Sequence, residues 1–543
     1  MSNHQYATVS YVVPPIAKGT AAAWAAHLTD VDEASLVALA ERLALVLRVG
    51  DVVTLAGDLG AGKTTFARAL IRILLADPAA EVPSPTFALA QGYASSRFPI
   101  AHFDFYRLAR PEDIEEIGFS DAVQHGIAIV EWPSKAADAL PQHRLELSFT
   151  ETTDPGTRNV DVAATGPIAT RLERISAMDA FIGDAGWGDA AIAYLQGDAS
   201  TRAYTRLALG SGRAVLMDAP RQPDGPPVRD GQPYSRIAHL AEDVRPFVAV
   251  DQALRRAGLS APDVLAADLD SGFLLLEDFG DRVFGRETGN DLHQAELWTA
   301  AIDALVALRR ANPTLTMPVG GGAVSSRETH TLPRLDRNIL EIEIDMLPDW
   351  YWPEVKGVAM PAPLRAEYRG LWRPVIDRLL TEAPGWILRD VHSPNLLWMP
   401  EWKGIARVGF IDFQDALAGP WSHDVMSLLQ DARVDVPVKL EARLLTRYCS
   451  TISMFEAGFN EATFRSSYAA YGALRATRLV GLFVRLLRRD GKANYLQHMA
   501  RNWGYLERNL AHPKLRPLQD WYDTHLGVEL RQQPIDPSPR RAA

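Results

Sequence analysis

One cysteine, Cys449, stands in 543 residues. A lone thiol cannot close an intramolecular disulfide, so the sequence suits a reducing compartment. Its setting, RYCSTISMF, reads as a helix face rather than a nucleophile's pocket. No apolar run approaches the ~18–20 residues that cross a bilayer, so no helical membrane span is expected. The opening MSNHQYATVS has neither the basic start nor the apolar stretch of a secretory leader, and the expected location is cytoplasmic. Positive charge is also scarce where a nucleic-acid grip would need it. Net charge is −11; through Thr165 there are 12 Lys and Arg against 20 Asp and Glu, leaving 44 against 47 in the rest. Phosphate affinity needs clustered cations, so direct nucleic-acid binding is not expected of the first part.

What is present is ordinary globular composition, 47% hydrophobic and 23% charged, in a chain too long for one core. Leu36, Leu39, Ala40, Leu43 and Leu47 keep helical spacing behind Asp32, a candidate cap. DVVTLAG (51–57) reads as a buried strand and KTTFARALIRILL (63–75) as a helix. FPIAHFDFY (98–106) and GIAIVEW (126–132) read as further strands, the second apolar enough to be buried on both faces. This predicts an α/β domain over residues 1–150. Residues 151–170 are polar, with Gly and Pro and no sustained period; NVDVAA (159–164) is expected to finish an edge strand and the stretch then to serve as a linker. A second domain is expected over 171–527, and the tail 528–543 has too little apolar surface to fold.

GDLGAGKTT (57–65) lies between the first strand and its helix and matches G-x-x-x-x-G-K-[ST]. Gly57, Gly60 and Gly62 would let backbone N–H groups turn onto phosphates at a helix N-terminus. Lys63 supplies charge, while Thr64 and Thr65 supply hydroxyls, the former toward Mg²⁺. VPSPTF (82–87) presents Ser84 and Thr86. Asp104 and Glu131 end strands at the edge where open α/β sheets bind ligands, which makes them candidate metal and water-positioning carboxylates.

Together GDLGAGKTT, SPTF, HFDFYR and VEW resemble the TsaE (YjeE) family of bacterial ATPases. The resemblance implies a P-loop NTPase fold, ATP and Mg²⁺ as cofactors, and support of threonylcarbamoyladenosine synthesis in tRNA. It implies partners too: proteins of the threonylcarbamoyl-transferase complex. Thr86 would lie in the nucleotide-sensing loop. Ser134 departs from the acidic residue usual after Glu-Trp-Pro. A small P-loop kinase is the rival for this half.

Further along, LRDVHSPNLLW (388–398) and GFIDFQDA (409–416) set Asp390, Asn395 and Asp412 at kinase-like spacing. The first would position an acceptor hydroxyl, and the other two would bind Mg²⁺. These phrases, with LMDAP and LLLEDFGD, resemble the AmgK family of amino-sugar kinases in the aminoglycoside-phosphotransferase superfamily. An α+β bilobal protein-kinase-like domain is implied, phosphorylating the anomeric hydroxyl of N-acetylmuramate or N-acetylglucosamine in cell-wall recycling. Ser200 and Arg202 would sit in a turn over the phosphates, Glu277 at the hinge strand and His392 near the γ-phosphate. Met217 stands where kinases place a phosphate-binding Lys, so Arg202 or Arg206 would have to compensate, and Leu388 replaces a scaffold His. Glu341, Asp345 and Trp350 are candidates for the sugar pocket. A pseudokinase, or a kinase for aminoglycoside, choline or homoserine, stays open.

Overall fold

Asp32 caps the first helix as its position suggests, accepting from the Ser35 amide at 2.8 Å. The computed structural model describes residues 23–95, 97–195, 202–221, 223–289 and 291–538. The chain divides into two compact units, Met1–Tyr194 and Leu195–Ala543. Among the described residues no helix is long and apolar enough to cross a membrane.

In the first unit the elements are β1 (Ala23–Val31), α1 (Glu33–Val46), β2 (Val52–Ala56), α2 (Lys63–Leu75), β3 (Ala90–Ala94) and β4 (Pro99–Asp104). They continue with α3 (Phe119–His125), β5 (Ile127–Glu131), β6 (Leu145–Glu151), β7 (Arg158–Thr165) and α4 (Pro167–Asp184). The seven strands run in the order β1-β7-β6-β2-β5-β4-β3. β2 is parallel to both β5 and β6, and β4 is parallel to β5. The unbroken apolar run of β5 has the cause expected of it. Ile127 and Ile129 face one core with α1 and α2, while Ala128 and Val130 face another with Phe103, Phe105 and Phe119. Each such buried Ile or Val contributes roughly 1.5–3 kcal/mol relative to exposure.

A strand does form at NVDVAA, but inside the sheet rather than at its edge, and a helix rather than a linker follows it. Residues 158–165 are β7, paired antiparallel with β6 on one side and β1 on the other. Its Val160, Val162 and Ala164 alternate into the core, the period-2 signal of a strand with one buried face. Gly166, at φ 73°, then turns the chain into α4, whose Ile168, Ala169 and Leu172 complete the same core. The first unit therefore ends well past residue 150.

In the second unit four strands pair antiparallel in the order Val264–Asp268, Phe273–Glu277, Gly212–Asp218, Ala203–Leu209. The rest is mostly helical, dominated by the 30-residue helix Glu461–Asp490, with Asn460 capping its start and Gly491 in the left-handed region at its end. Cys449 is buried on the helix Val438–Ser453, and burial pushes its thiol up to about 11. The tail also differs from expectation. Val528–Gln532 is helical, Arg531 is buried and bonds Asp523, and Arg488 donates to carbonyls of Asp536 and Ser538. Charge pairing of Arg531, together with Leu530 and Ile535 packed against the core, fastens it. Residues 539–543 lie outside the described set.

Candidate active sites

Between β2 and α2 the chain must turn sharply, and glycine takes each left-handed position. Gly57, Gly60 and Gly62 have φ of 139°, 84° and 105°. A Cβ on Gly57 would lie 2.6 Å from the carbonyl oxygen of Phe149, so this residue also permits close approach to β6. Beside Gly60 and Gly62 a Cβ would meet nothing within 4 Å. No side chain caps α2, whose first N–H groups are left for another acceptor. Thr65 follows Thr64 in its first turn. Lys63 Nζ donates to the carbonyls of Gly57 and Asp58, both at 2.8 Å, and lies 3.8 Å from the Trp132 ring centroid. Burial lowers its pKa, against the pull of Glu131, Asp104 and Asp58.

Parallel pairing of β4 and β5 sets Asp104 opposite Glu131. Both are only 2% exposed, so each needs partners, and each has them. Glu131 accepts from Thr64 Oγ1 at 2.8 Å and contacts His102 Nε2 at 3.0 Å. Asp104 accepts from Thr86 Oγ1 at 2.5 Å, Ser84 Oγ at 3.4 Å and the Tyr106 amide at 2.9 Å. The predicted Lys63, Thr64, Thr86, Asp104 and Glu131 thus meet at one end of the sheet. Hydroxyl and carboxylate oxygens there suit Mg²⁺, which takes one or two carboxylates together with phosphate oxygens.

The second constellation is assembled from farther apart. The hairpin of Leu396–Trp398 and Val408–Phe410 aligns Leu396 with Phe410, and the Ile411 amide donates to the Asn395 carbonyl at 3.1 Å. That register sets Asn395 beside Asp412. Asn395 Nδ2 lies 3.3 Å from Asp412 Oδ2 and 3.1 Å from the Asp390 carbonyl oxygen. The Asn395 carboxamide and Asp412 carboxylate are hard-oxygen donors within reach of one Mg²⁺. Gln414 Nε2 donates to Asp412 Oδ1 at 2.8 Å, and Arg202 Nη1 stands 3.5 Å from the same oxygen. Burial, then the charge of Asp390, raises the Asp412 pKa. For Asp390 burial acts upward too, but His392, Arg389, Arg478 and Arg475 outweigh it and hold the carboxyl below its ordinary value.

Two buried acids that sequence reading missed position this loop. Asp424 accepts from the Leu388 amide at 2.5 Å and the Arg389 amide at 3.1 Å. Asp431 accepts from the Ser393 amide at 2.6 Å. With those amides held by carboxylates, Leu388 can replace a scaffold His without loosening the turn. The available signal was two acids bracketing Val425, Met426, Leu428 and Leu429, since buried acids require partners.

Other expectations fare differently. His392 is at the site, its Nδ1 2.9 Å from the Asp390 carbonyl oxygen. Glu277 points instead to the neighbouring strand, accepting from the Asp263 amide at 3.2 Å. Ser200 lies outside the described residues. Arg206 is taken by Asp278 and Asp281, leaving Arg202 as the cation beside Asp412. Met217 is buried in the core between Tyr204 and Leu274. Asp345 is buried and paired to Arg229, Arg365 and Arg369, and Glu341 stands between Arg229 and Arg337. Trp350 packs on the core. Their partners are internal because a buried carboxylate recruits the nearest guanidinium, and Asp345 is withdrawn from the sugar candidates.

Residues 31–160 match the family model described as Threonylcarbamoyl adenosine biosynthesis protein TsaE, and residues 191–462 match that described as Phosphotransferase enzyme family. An N-acetylmuramate/N-acetylglucosamine kinase of Caulobacter vibrioides is 38% identical over 371 residues, covering 66% of this chain and 99% of that protein. A tRNA threonylcarbamoyladenosine biosynthesis protein TsaE of Rickettsia conorii is 46% identical over 111 residues, 20% of this chain and 63% of that protein. Its namesake from Rickettsia prowazekii is 42% identical over 103 residues, 19% of this chain and 71% of that protein.

Proposed function

Since the chain belongs to the TsaE family through residues 31–160 and to the phosphotransferase enzyme family through residues 191–462, we propose that it is a bifunctional enzyme with two independent ATP sites. The first unit hydrolyses ATP in support of tRNA threonylcarbamoyladenosine synthesis, acting on proteins of the threonylcarbamoyl-transferase complex. The second phosphorylates the anomeric hydroxyl of N-acetylmuramate and N-acetylglucosamine during cell-wall recycling, through a bilobal kinase-like domain.

The observation that carries the kinase reading is the contact of Asn395 with Asp412 at 3.3 Å, one step from the backbone of Asp390. Asp390, held ionised by the surrounding positive charge, orients the acceptor hydroxyl and receives its proton as the acceptor oxygen bonds to the γ-phosphorus and ADP leaves. Asn395 and Asp412 would hold Mg²⁺, which when bound would screen the phosphate charge. Arg202 adds charge that the missing strand lysine does not provide. Arginines around Asp390 favour a neutral or anionic acceptor over a cationic aminoglycoside or choline. In the first unit Lys63 would exchange its two loop carbonyls for phosphate oxygens, and Asp104 and Glu131 would hold the metal and orient the attacking water.

Burial of Met217 favours a second reading, a pseudokinase that serves as a binding module. Incubating the full chain with labelled ATP and each amino sugar separates the two. Formation of the sugar 1-phosphate is expected; a chain that makes none, with either sugar, is not an amino-sugar kinase.

A further inference from the structure

A cleft of about 630 Å³ in the second unit is lined by Arg221, Arg236, His239, His330 and Gln414 among others, a size that suits one small-molecule ligand. Two hydrogen bonds tie its wall to the proposed transfer centre. Arg389, next to Asp390, donates from Nη1 to the Ala238 carbonyl at 2.7 Å, and Asp415 Oδ1 accepts from the Ala241 amide at 2.6 Å. Gln414 belongs to both places, since it lines the cleft while its Nε2 donates to Asp412.

The charged groups of the lining are already matched. Arg221 pairs with Glu242 and Arg236 with Asp224, each at 2.8 Å, and His239 lies 3.1 Å from Asp336. Asp243 is held by the amide and guanidinium of Arg245. What the lining leaves open is neutral. Gln414 is only 4% exposed, and its Nε2 is spent on Asp412 at 2.8 Å and Asp415 at 3.3 Å. Those two carboxylates fix the amide's orientation and leave Oε1 buried with no partner among the described residues. His330 Nε2, from the strand Thr329–Thr331, is likewise buried without one. Burial lowers the His330 pKa against the pull of Asp243, so the imidazole is neutral near pH 7. Unpaired buried polar atoms are costly, and a ligand that completes them removes the cost. Both acceptors proposed above carry a 2-acetamido group, a neutral donor and acceptor side by side. We propose that this cleft is the acceptor pocket and that Gln414 and His330 recognise the acetamido group, Oε1 accepting from its N–H and Nε2–H donating to its carbonyl oxygen. This rests on the amino-sugar kinase reading and adds to it the contacts by which sugars without an N-acyl group are rejected.

The test uses the full chain with N-acetylglucosamine and 2-deoxyglucose, which lacks the acetamido group. In the wild type, kcat/KM for 2-deoxyglucose is lower by about tenfold or more, the value of the two hydrogen bonds it cannot make. In His330→Phe the kcat/KM for N-acetylglucosamine falls by about tenfold, while that for 2-deoxyglucose and the KM for ATP stay put. His330→Gln, which keeps a donor, retains part of the preference. Gln414→Met slows both sugars, because Asp412 loses its donor, yet it lowers the ratio between them as well. A ratio unchanged in His330→Phe, with both sugars spared or both lost equally, would make the histidine structural and overturn the subsite. A wild type that uses 2-deoxyglucose as readily as N-acetylglucosamine overturns it without any variant. Failure to phosphorylate N-acetylmuramate and N-acetylglucosamine alike sinks the kinase reading itself and the pocket with it, a distinguishable result.

Discussion

The two sites meet the same steric problem in opposite ways. In the first unit each left-handed residue of the phosphate loop is a glycine, because the loop works through backbone N–H groups and no side chain is wanted there. In the second unit left-handed geometry falls on Arg389, at φ 75°, and Asp412, at φ 60°. Neither can become glycine, since Asp412 is itself a proposed metal ligand and Arg389 donates to the Ala238 carbonyl while charging the surroundings of Asp390. Such strain costs about 1–3 kcal/mol per residue and persists only where the surroundings over-determine it. Here Asp424 and Gln414 do so, one holding the Leu388 and Arg389 amides and the other holding the Asp412 carboxylate. A backbone site can be written as one short motif. A side-chain site needs distant residues to keep it in place.

That contrast is broken most severely at Asp424. Asp424→Ala orphans two buried amides, each costing about 1–3 kcal/mol, so the second unit should lose about 2–6 kcal/mol. Sugar phosphorylation should fall with it while ATP hydrolysis by the first unit persists; calorimetry and the two activity assays read this on the same sample. An unshifted transition would show that the acid is not what holds the loop. Next in size is Gly57→Ala, which combines an unfavourable φ with the close approach to Phe149 and should cost about 1–3 kcal/mol in the first unit. Gly60→Ala, with no atom in its way, should cost only about 1–2 kcal/mol. Equal effects of the two alanines on the first thermal transition would remove the steric part of the argument.

The smallest effect concerns pH. Burial has lowered the Lys63 pKa, so its ammonium starts to lose its proton at a lower pH than an ordinary lysine. Phosphate attraction is full below that pKa and fades as pH rises through it. The kcat/KM for ATP hydrolysis should therefore decline with rising pH earlier than an ordinary lysine would lose its proton. Sugar phosphorylation has Met217 at the lysine position and an arginine, Arg202, beside Asp412, and guanidinium stays charged as the pH rises. Its kcat/KM for ATP should stay flat, and parallel profiles would count against separate phosphate-binding cations.

Much of the first site was legible because its motif is contiguous and lies between a strand and a helix that the apolar spacing already marks. Asp104 and Glu131 could be read as partners because both end strands at one edge of the sheet. The strand at NVDVAA was readable but its place inside the sheet was not, since pairing with both β1 and β6 decides that. In the second unit Asp390, Asn395 and Asp412 were readable from spacing. The fates of Arg206 and Asp345 were not, because an ion pair between residues 75 or 24 positions apart leaves no local pattern. Asp424 and Asp431 were hidden for the same reason: their partners are backbone amides, which have no sequence signature.

The direct test of two independent sites is a double dissociation on the full chain, with ATP hydrolysis in the presence of the partner complex and sugar 1-phosphate formation measured side by side. Lys63→Ala should abolish the first and spare the second, and Asp390→Ala should do the reverse. Loss of both activities in either variant would contradict the account.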